Sequence, residues 1–254
     1  MAAAFKDFKL ETVLVGGSLI GISALSWFLS TYPIEAGMMM SEMFSLDAAM
    51  IILFSLSWTL GMIAMMFPVI VPITLTVFRA ARNADESTKE GGGPTIPKAF
   101  TFAFSYVLLW IGFGIALYIL IGSLLAMSNT LQFQSPYFRF LSALIILGAG
   151  IYQFAPFKGT CLNRCHPTTF LVRNYRGGMK GSAMMGISYG FFCVGCCWAL
   201  MIILLLIGSM SLVWMGIFAF AILVERTTPA RWQVSKILGT LLLILGAFLT
   251  YQSV

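Results

Sequence analysis

The sequence predicts an all-α fold, a polytopic membrane bundle of about seven transmembrane helices with a cytoplasmic N-terminus. Three observations predict it. The chain is 59% hydrophobic and only 9% charged, whereas a soluble domain carries roughly 25% charged residues. The charges that remain cluster between uncharged runs long enough to cross a bilayer. Finally, with the N-terminus inside, 14 of the 15 Lys and Arg residues fall on the cytoplasmic side, Arg139 being the exception. The net charge of +6 therefore reads as topology-setting loop charge and gives no reason to invoke nucleic acid.

The spans follow in order. Residues 12–34 are uncharged and no small-x-small cleavage site follows them, which predicts a retained first helix. Residues 35–47 form an acidic, Met-rich extracytoplasmic loop containing Met38, Met39, Met40 and Met43. A second span is expected over 48–70, where Pro68 and Pro72 should kink or end the helix. The charged loop 79–98 contains Gly91-Gly92-Gly93-Pro94 and is expected to be exposed. Third and fourth spans are expected over 99–127 and 139–157. Residues 158–180 then read as a basic cytoplasmic loop with Cys161, Cys165 and His166. The uncharged run 181–224 is too long for one span and is divided into 181–207 and 210–225; the last span is 236–252. The whole chain is one transmembrane domain in this reading.

The fifth span carries the most informative residues. At 100° per residue, Ser182, Gly186, Gly190, Cys193, Cys197 and Met201 share one stripe, with Cys196 beside it. Glycines four apart let another helix approach closely. Cys193 lies about 18 Å along that helix, near mid-bilayer. On the second span Met62 and Met66 share a face with Met65 adjacent, so the two helices are expected to oppose thioethers to thiols. Methionine is usually adaptable packing, and Met62, Met65 and Met66 alone would be read that way. Three cysteines within five residues are harder to assign to packing. Cys161 and Cys165 lack the C-x-x-C zinc spacing but would share a helical face.

Sulfur donors suit Cu(I), zinc or iron–sulfur clusters. The abundance of methionine favours Cu(I), with zinc second, because zinc sites ordinarily use Cys, His and carboxylates. Apart from Glu225, the last residue of 210–225, no carboxylate lies inside the expected spans, which argues against hard ions and against a proton-coupled pump. No Walker A sequence is present and no loop is large enough for an ATPase domain. Five cysteines are an odd number, unlike a secreted disulfide framework.

A set of motifs then appears in order. It comprises Ala64-Met65-Met66-x-Pro68, Tyr152-Gln153-x-x-Pro156-x-Lys158-x-x-Cys161-Leu162-x-x-Cys165, Gly190-x-x-Cys193-x-Gly195-Cys196-Cys197-Trp198-x-Leu200-Met201, Trp214-Met215 and Glu225. Over residues 58–226 the chain resembles the prokaryotic family of predicted metal-binding integral membrane proteins (domain of unknown function 2182), some of whose members are labelled copper chaperones. The resemblance implies a metal-binding role in a prokaryotic plasma membrane and implies no reaction.

Three functions compete. The first is a non-enzymatic Cu(I) chaperone or relay whose partners are the metal, the bilayer and a recipient membrane copper enzyme. Its expected ligands are Cys193, Cys196, Cys197, Cys161, Cys165, Met62, Met65, Met66 and Met201. The others are a non-catalytic subunit of a larger membrane complex and, ranked lower, a membrane thiol–disulfide oxidoreductase. The first reading carries a further expectation: two separate stations, one at Cys193/Cys197 inside the membrane and one at Cys161/Cys165 in the cytoplasmic loop. Lys158, Arg164, Arg173, Arg176 and Lys180 would favour thiolates at the second.

Overall fold

Apolar runs of this length have few ways to satisfy their backbone away from water, and the helix satisfies every interior N–H and C=O within one segment. The computed structural model describes residues 2–31, 47–88, 95–127, 136–206, 212–228 and 231–253, all helices and short connections with no strand among them. The helices are α1 (Ala2–Leu29), α2 (Ala48–Thr88), α3 (Thr95–Met127), α4 (Pro136–Tyr152), α5 (Pro156–Arg164), α6 (Pro167–Asn174), α7 (Gly178–Leu206), α8 (Leu212–Thr227) and α9 (Arg231–Ser253). Residues 35–46 of the expected Met-rich loop 35–47 and the joint near residues 208–211 lie outside the described residues.

Among the described residues, five helices are long and apolar enough to cross a membrane: α1, α2, α3, α7 and α9. A sixth arises if α4 and α5, which meet at 64°, count together as one broken span. The span expected over 210–225 corresponds to α8, of which 16 residues are described.

The helices close into a ring. α2 packs on α3, α3 on α7, α7 on α4 and α5, α4 on α9, and α9 on α8, which returns to α2; α1 lies against α2 and α3. The apolar windows of α2 and α7 are each 61% buried, against 28%, 33% and 22% for α1, α3 and α9, so α2 and α7 are the inner helices. On α9 the residues Ile237, Leu241, Ile244 and Phe248 remain exposed. Their spacing makes one continuous apolar ridge on the outer face.

Two expectations about α2 are corrected. It runs through Pro68 and Pro72 to Thr88, so the first ten residues of the expected loop 79–98 are helical. Pro68 removes the N–H that would bond the Ala64 carbonyl. That carbonyl instead accepts from Ser23 Oγ at 2.7 Å and from Trp27 Nε1 at 3.0 Å on α1. A neighbouring helix thus supplies the donors the proline lacks, which is how an apolar bundle tolerates an internal proline.

The close approach predicted at Gly186 and Gly190 is present, but its partner is α3, not α2. A Cβ at Gly186 would stand 2.3 Å from the Phe102 carbonyl oxygen, and one at Gly190 would stand 2.7 Å from Leu109. Met62, Met65 and Met66 are buried in the same core as the cysteines, without α7's glycine face as their seat.

Candidate metal centre

The stripe predicted on α7 is buried throughout, with Ser182, Gly186, Gly190, Cys193, Cys197 and Met201 all inside. Helical thiols commonly bond carbonyls three or four residues back. Cys197 donates to the Cys193 carbonyl at 2.8 Å and Cys196 reaches it at 3.1 Å. Cys193 Sγ lies 2.9 Å from the Tyr106 hydroxyl of α3. Cys196, beside the stripe, faces another way, toward Cys165 at the end of α5 and Arg226 of α8.

The segment after Tyr152 decides what Cys196 meets. Pro156 and Pro167 each open a short helix at a first-turn position, where a missing N–H costs nothing and the fixed φ is helical. The expected basic loop 158–180 is therefore folded as α5, α6 and the start of α7. Gly178, at φ 75°, turns the chain between α6 and α7 in a conformation glycine adopts without steric cost. Cys161 and Cys165 keep their i, i+4 relation, since the Cys165 N–H bonds the Cys161 carbonyl at 2.9 Å, and both are buried. His166 is the N-cap residue of α6.

Three sets of contacts fix α5 and the residues just before it against α7, α8 and α9. Gly195 lets the Cys161 sulfur approach, because a Cβ there would stand 3.0 Å from it. The Tyr152 hydroxyl donates to the Gly195 carbonyl, and its ring meets Trp198 edge-on at 5.1 Å. Lys158, fully buried, pairs with Glu225 of α8 at 2.5 Å and donates to Gln153 Oε1. Ser235 of α9 donates to the Gln153 carbonyl at 3.0 Å. An ion pair excluded from water demands such additional partners.

With α5 seated, Cys165 Sγ lies 4.0 Å from Cys196 Sγ. Arg226 of α8 donates through Nη2 to Cys196 Sγ at 2.8 Å and through Nη1 to the Tyr189 hydroxyl at 3.1 Å. Tyr189 in turn donates to the Cys165 carbonyl at 3.0 Å. Cys165, of the station expected at Cys161/Cys165, therefore meets Cys196, which neighbours the station expected at Cys193/Cys197, because α5 folds back on α7. The cation hydrogen-bonded to Cys196, Arg226, is not one of the five expected from 158–180. Lys158 is committed to Glu225, and Arg164 is exposed over the Phe192 ring at 5.3 Å.

Sequence reasoning passed over Arg226, which counted only as a topological charge, and gave Glu225 no role beyond its place in the family motifs. Their signal was adjacency: the pair closes the longest uncharged run of the chain. Among the described residues, no group of three or more His, Cys, Asp or Glu converges as a ready cage for a metal ion. The five cysteines are free thiols.

Fold and site together define a class: an all-helical protein with several helices long and apolar enough to cross a membrane, enclosing a buried group of free thiols. A family model described as PpoB2, copper chaperone, matches residues 55–249, a stretch that includes all five cysteines, Met62, Met65, Met66 and Arg226. The chain belongs to this copper chaperone family. No curated protein and no solved structure matches it.

Proposed function

We propose that the protein is a multi-pass copper chaperone of a prokaryotic plasma membrane, taking up Cu(I) on sulfur and passing it to a membrane copper enzyme without catalysing a reaction. The observation that carries the reading is the 4.0 Å between Cys165 Sγ and Cys196 Sγ. Two metal–sulfur bonds of about 2.3 Å reach up to about 4.6 Å between sulfurs, so one ion bridges this pair without backbone movement. Cys161, Cys193 and Cys197 stand as neighbouring thiols for transfer, with Met62, Met65, Met66 and Met201 as thioethers in the same core. Soft donors of this kind suit Cu(I) ahead of zinc. A relay also benefits from a site with few fixed ligands, because an ion caged by four is slow to leave.

Copper measured in protein purified in mild detergent tests this reading. Wild type should bind Cu(I), and Cys165→Ser and Cys196→Ser should each lose it. Retention of full copper in both variants would reject the pair. Reducible disulfide without copper would favour the oxidoreductase reading, and neither would favour the subunit reading. The sidedness, with the N-terminus inside, rests on the Lys/Arg asymmetry. A cysteine placed at Gln134 should react with an impermeant thiol reagent in intact cells, and one at Gly92 should be protected.

A further inference from the structure

We propose that Arg226 determines the valence of the metal: its fixed positive charge makes the Cys165–Cys196 pair select a monovalent over a divalent cation. The inference rests on the metal-binding reading above and extends it to the choice of ion.

The starting point is a buried guanidinium whose one ionisable hydrogen-bond partner among the described residues besides Tyr189 is a cysteine sulfur. Arg226 is 8% exposed, and guanidinium stays protonated in proteins. Its partners are the Cys196 sulfur and the neutral Tyr189 hydroxyl, with the Tyr189 ring 5.8 Å from its Cζ. Its Nε has no hydrogen-bond partner. No carboxylate among the described residues pairs with it, and Glu225, its neighbour in the chain, is taken by Lys158 at 2.5 Å. Lys158 and Glu225 cancel, and Arg164 is exposed. Apart from the Cys196 sulfur, no described group is placed to balance Arg226, and net charge is costly in apolar surroundings.

Metal binding changes that balance. As each metal–sulfur bond forms, the thiol proton leaves to water. Cu(I) on two thiolates is a complex of charge −1, and with Arg226 the sum is zero. Zn(II) on two thiolates is neutral, which leaves Arg226 uncompensated. A neutral third donor, thioether or thiol, alters neither sum. Three thiolates would favour zinc instead, but no group of three such ligands converges among the described residues. Ligand softness alone admits both metals, so the charge of Arg226 supplies the discrimination that sulfur does not.

The test is an anaerobic competition of Cu(I) against Zn(II) on the full-length protein in mild detergent, with both bound metals measured. Arg226→Gln should shift the copper-to-zinc ratio toward zinc by about tenfold or more, since it removes one buried charge. Arg226→Lys should keep the wild-type ratio, because it keeps the charge while losing the guanidinium fork. An unchanged ratio in Arg226→Gln overturns the proposal. So does a zinc shift in Arg226→Lys, which would show that shape or hydrogen bonding matters and not charge. If helical circular dichroism shows that the glutamine variant does not fold, Arg226→Leu, which removes the charge and leaves no buried polar atom, takes its place under the same criterion. Wild type that binds neither metal would instead reject the metal-binding reading itself.

Discussion

Lys158 and Glu225 offer the sharpest test of how the site is assembled. Both are buried, at 0% and 2% exposure, with Lys158 Nζ 2.5 Å from the carboxylate. Desolvating each ion costs several kcal/mol, and their attraction together with the bond to Gln153 offsets that cost. Lys158→Met should therefore destabilise the protein by about 3–5 kcal/mol, because Glu225 is left as an unpaired buried charge. Glu225→Gln should cost a similar amount by stranding Lys158. The double variant buries no charge, and its loss is chiefly the donor to Gln153 Oε1, about 1–3 kcal/mol; the Ser235 hydroxyl, 3.2 Å from that oxygen, is a second donor. The two singles sum to about 6–10 kcal/mol, so the coupling energy should be about 3 kcal/mol or more. The assay is unfolding by titrated SDS in mixed micelles, followed by the fluorescence of the six tryptophans. Additivity within about 0.5 kcal/mol would refute the argument, since it would mean that the two charges are solvated separately and do not seat α5.

Two further outcomes follow from single contacts. The Ala64 carbonyl freed by Pro68 has two donors, so Ser23→Ala and Trp27→Phe should be measurably milder singly than the unsatisfied carbonyl they leave together, which costs about 1–3 kcal/mol; the same unfolding assay should show the double exceeding the sum of the hydrogen-bond losses. Gly195→Val should displace Cys161, whose sulfur lies 3.0 Å from the position of the new Cβ. That variant should lower copper stoichiometry while helical content stays unchanged, and full copper binding would show that α5 can withdraw without consequence.

Much of the architecture was readable from residue chemistry alone. Uncharged runs located α1, α2, α3, α7 and α9, because a helix of apolar residues buries its own backbone polarity whatever its neighbours. The 3.6-residue period likewise identified the buried stripe of α7 from Ser182 to Met201. Periodicity states which face is hidden and not what hides it. The glycine face could have met any helix of the right shape, and it met α3. The prolines show the same division. Pro68 weakens a helix considered alone, and only Ser23 and Trp27, some forty positions earlier, explain why α2 continues.

The site depended on tertiary structure still more. Cys165 and Cys196 are 31 residues apart, and no local pattern relates them. Their meeting requires α5 to fold back at 64° from α4, held by Lys158, Glu225 and the Cys161–Gly195 contact. Arg226 looks in sequence like any basic residue at the end of an apolar run, where solvation is the ordinary outcome. Packing against Tyr189 and Cys196 removed it from water and converted a topological charge into part of the thiol cluster. Local chemistry thus determined which residues were buried and which donors were available. Long-range packing determined which of them met, because contact between distant segments depends on shape and charge complementarity that no single segment contains.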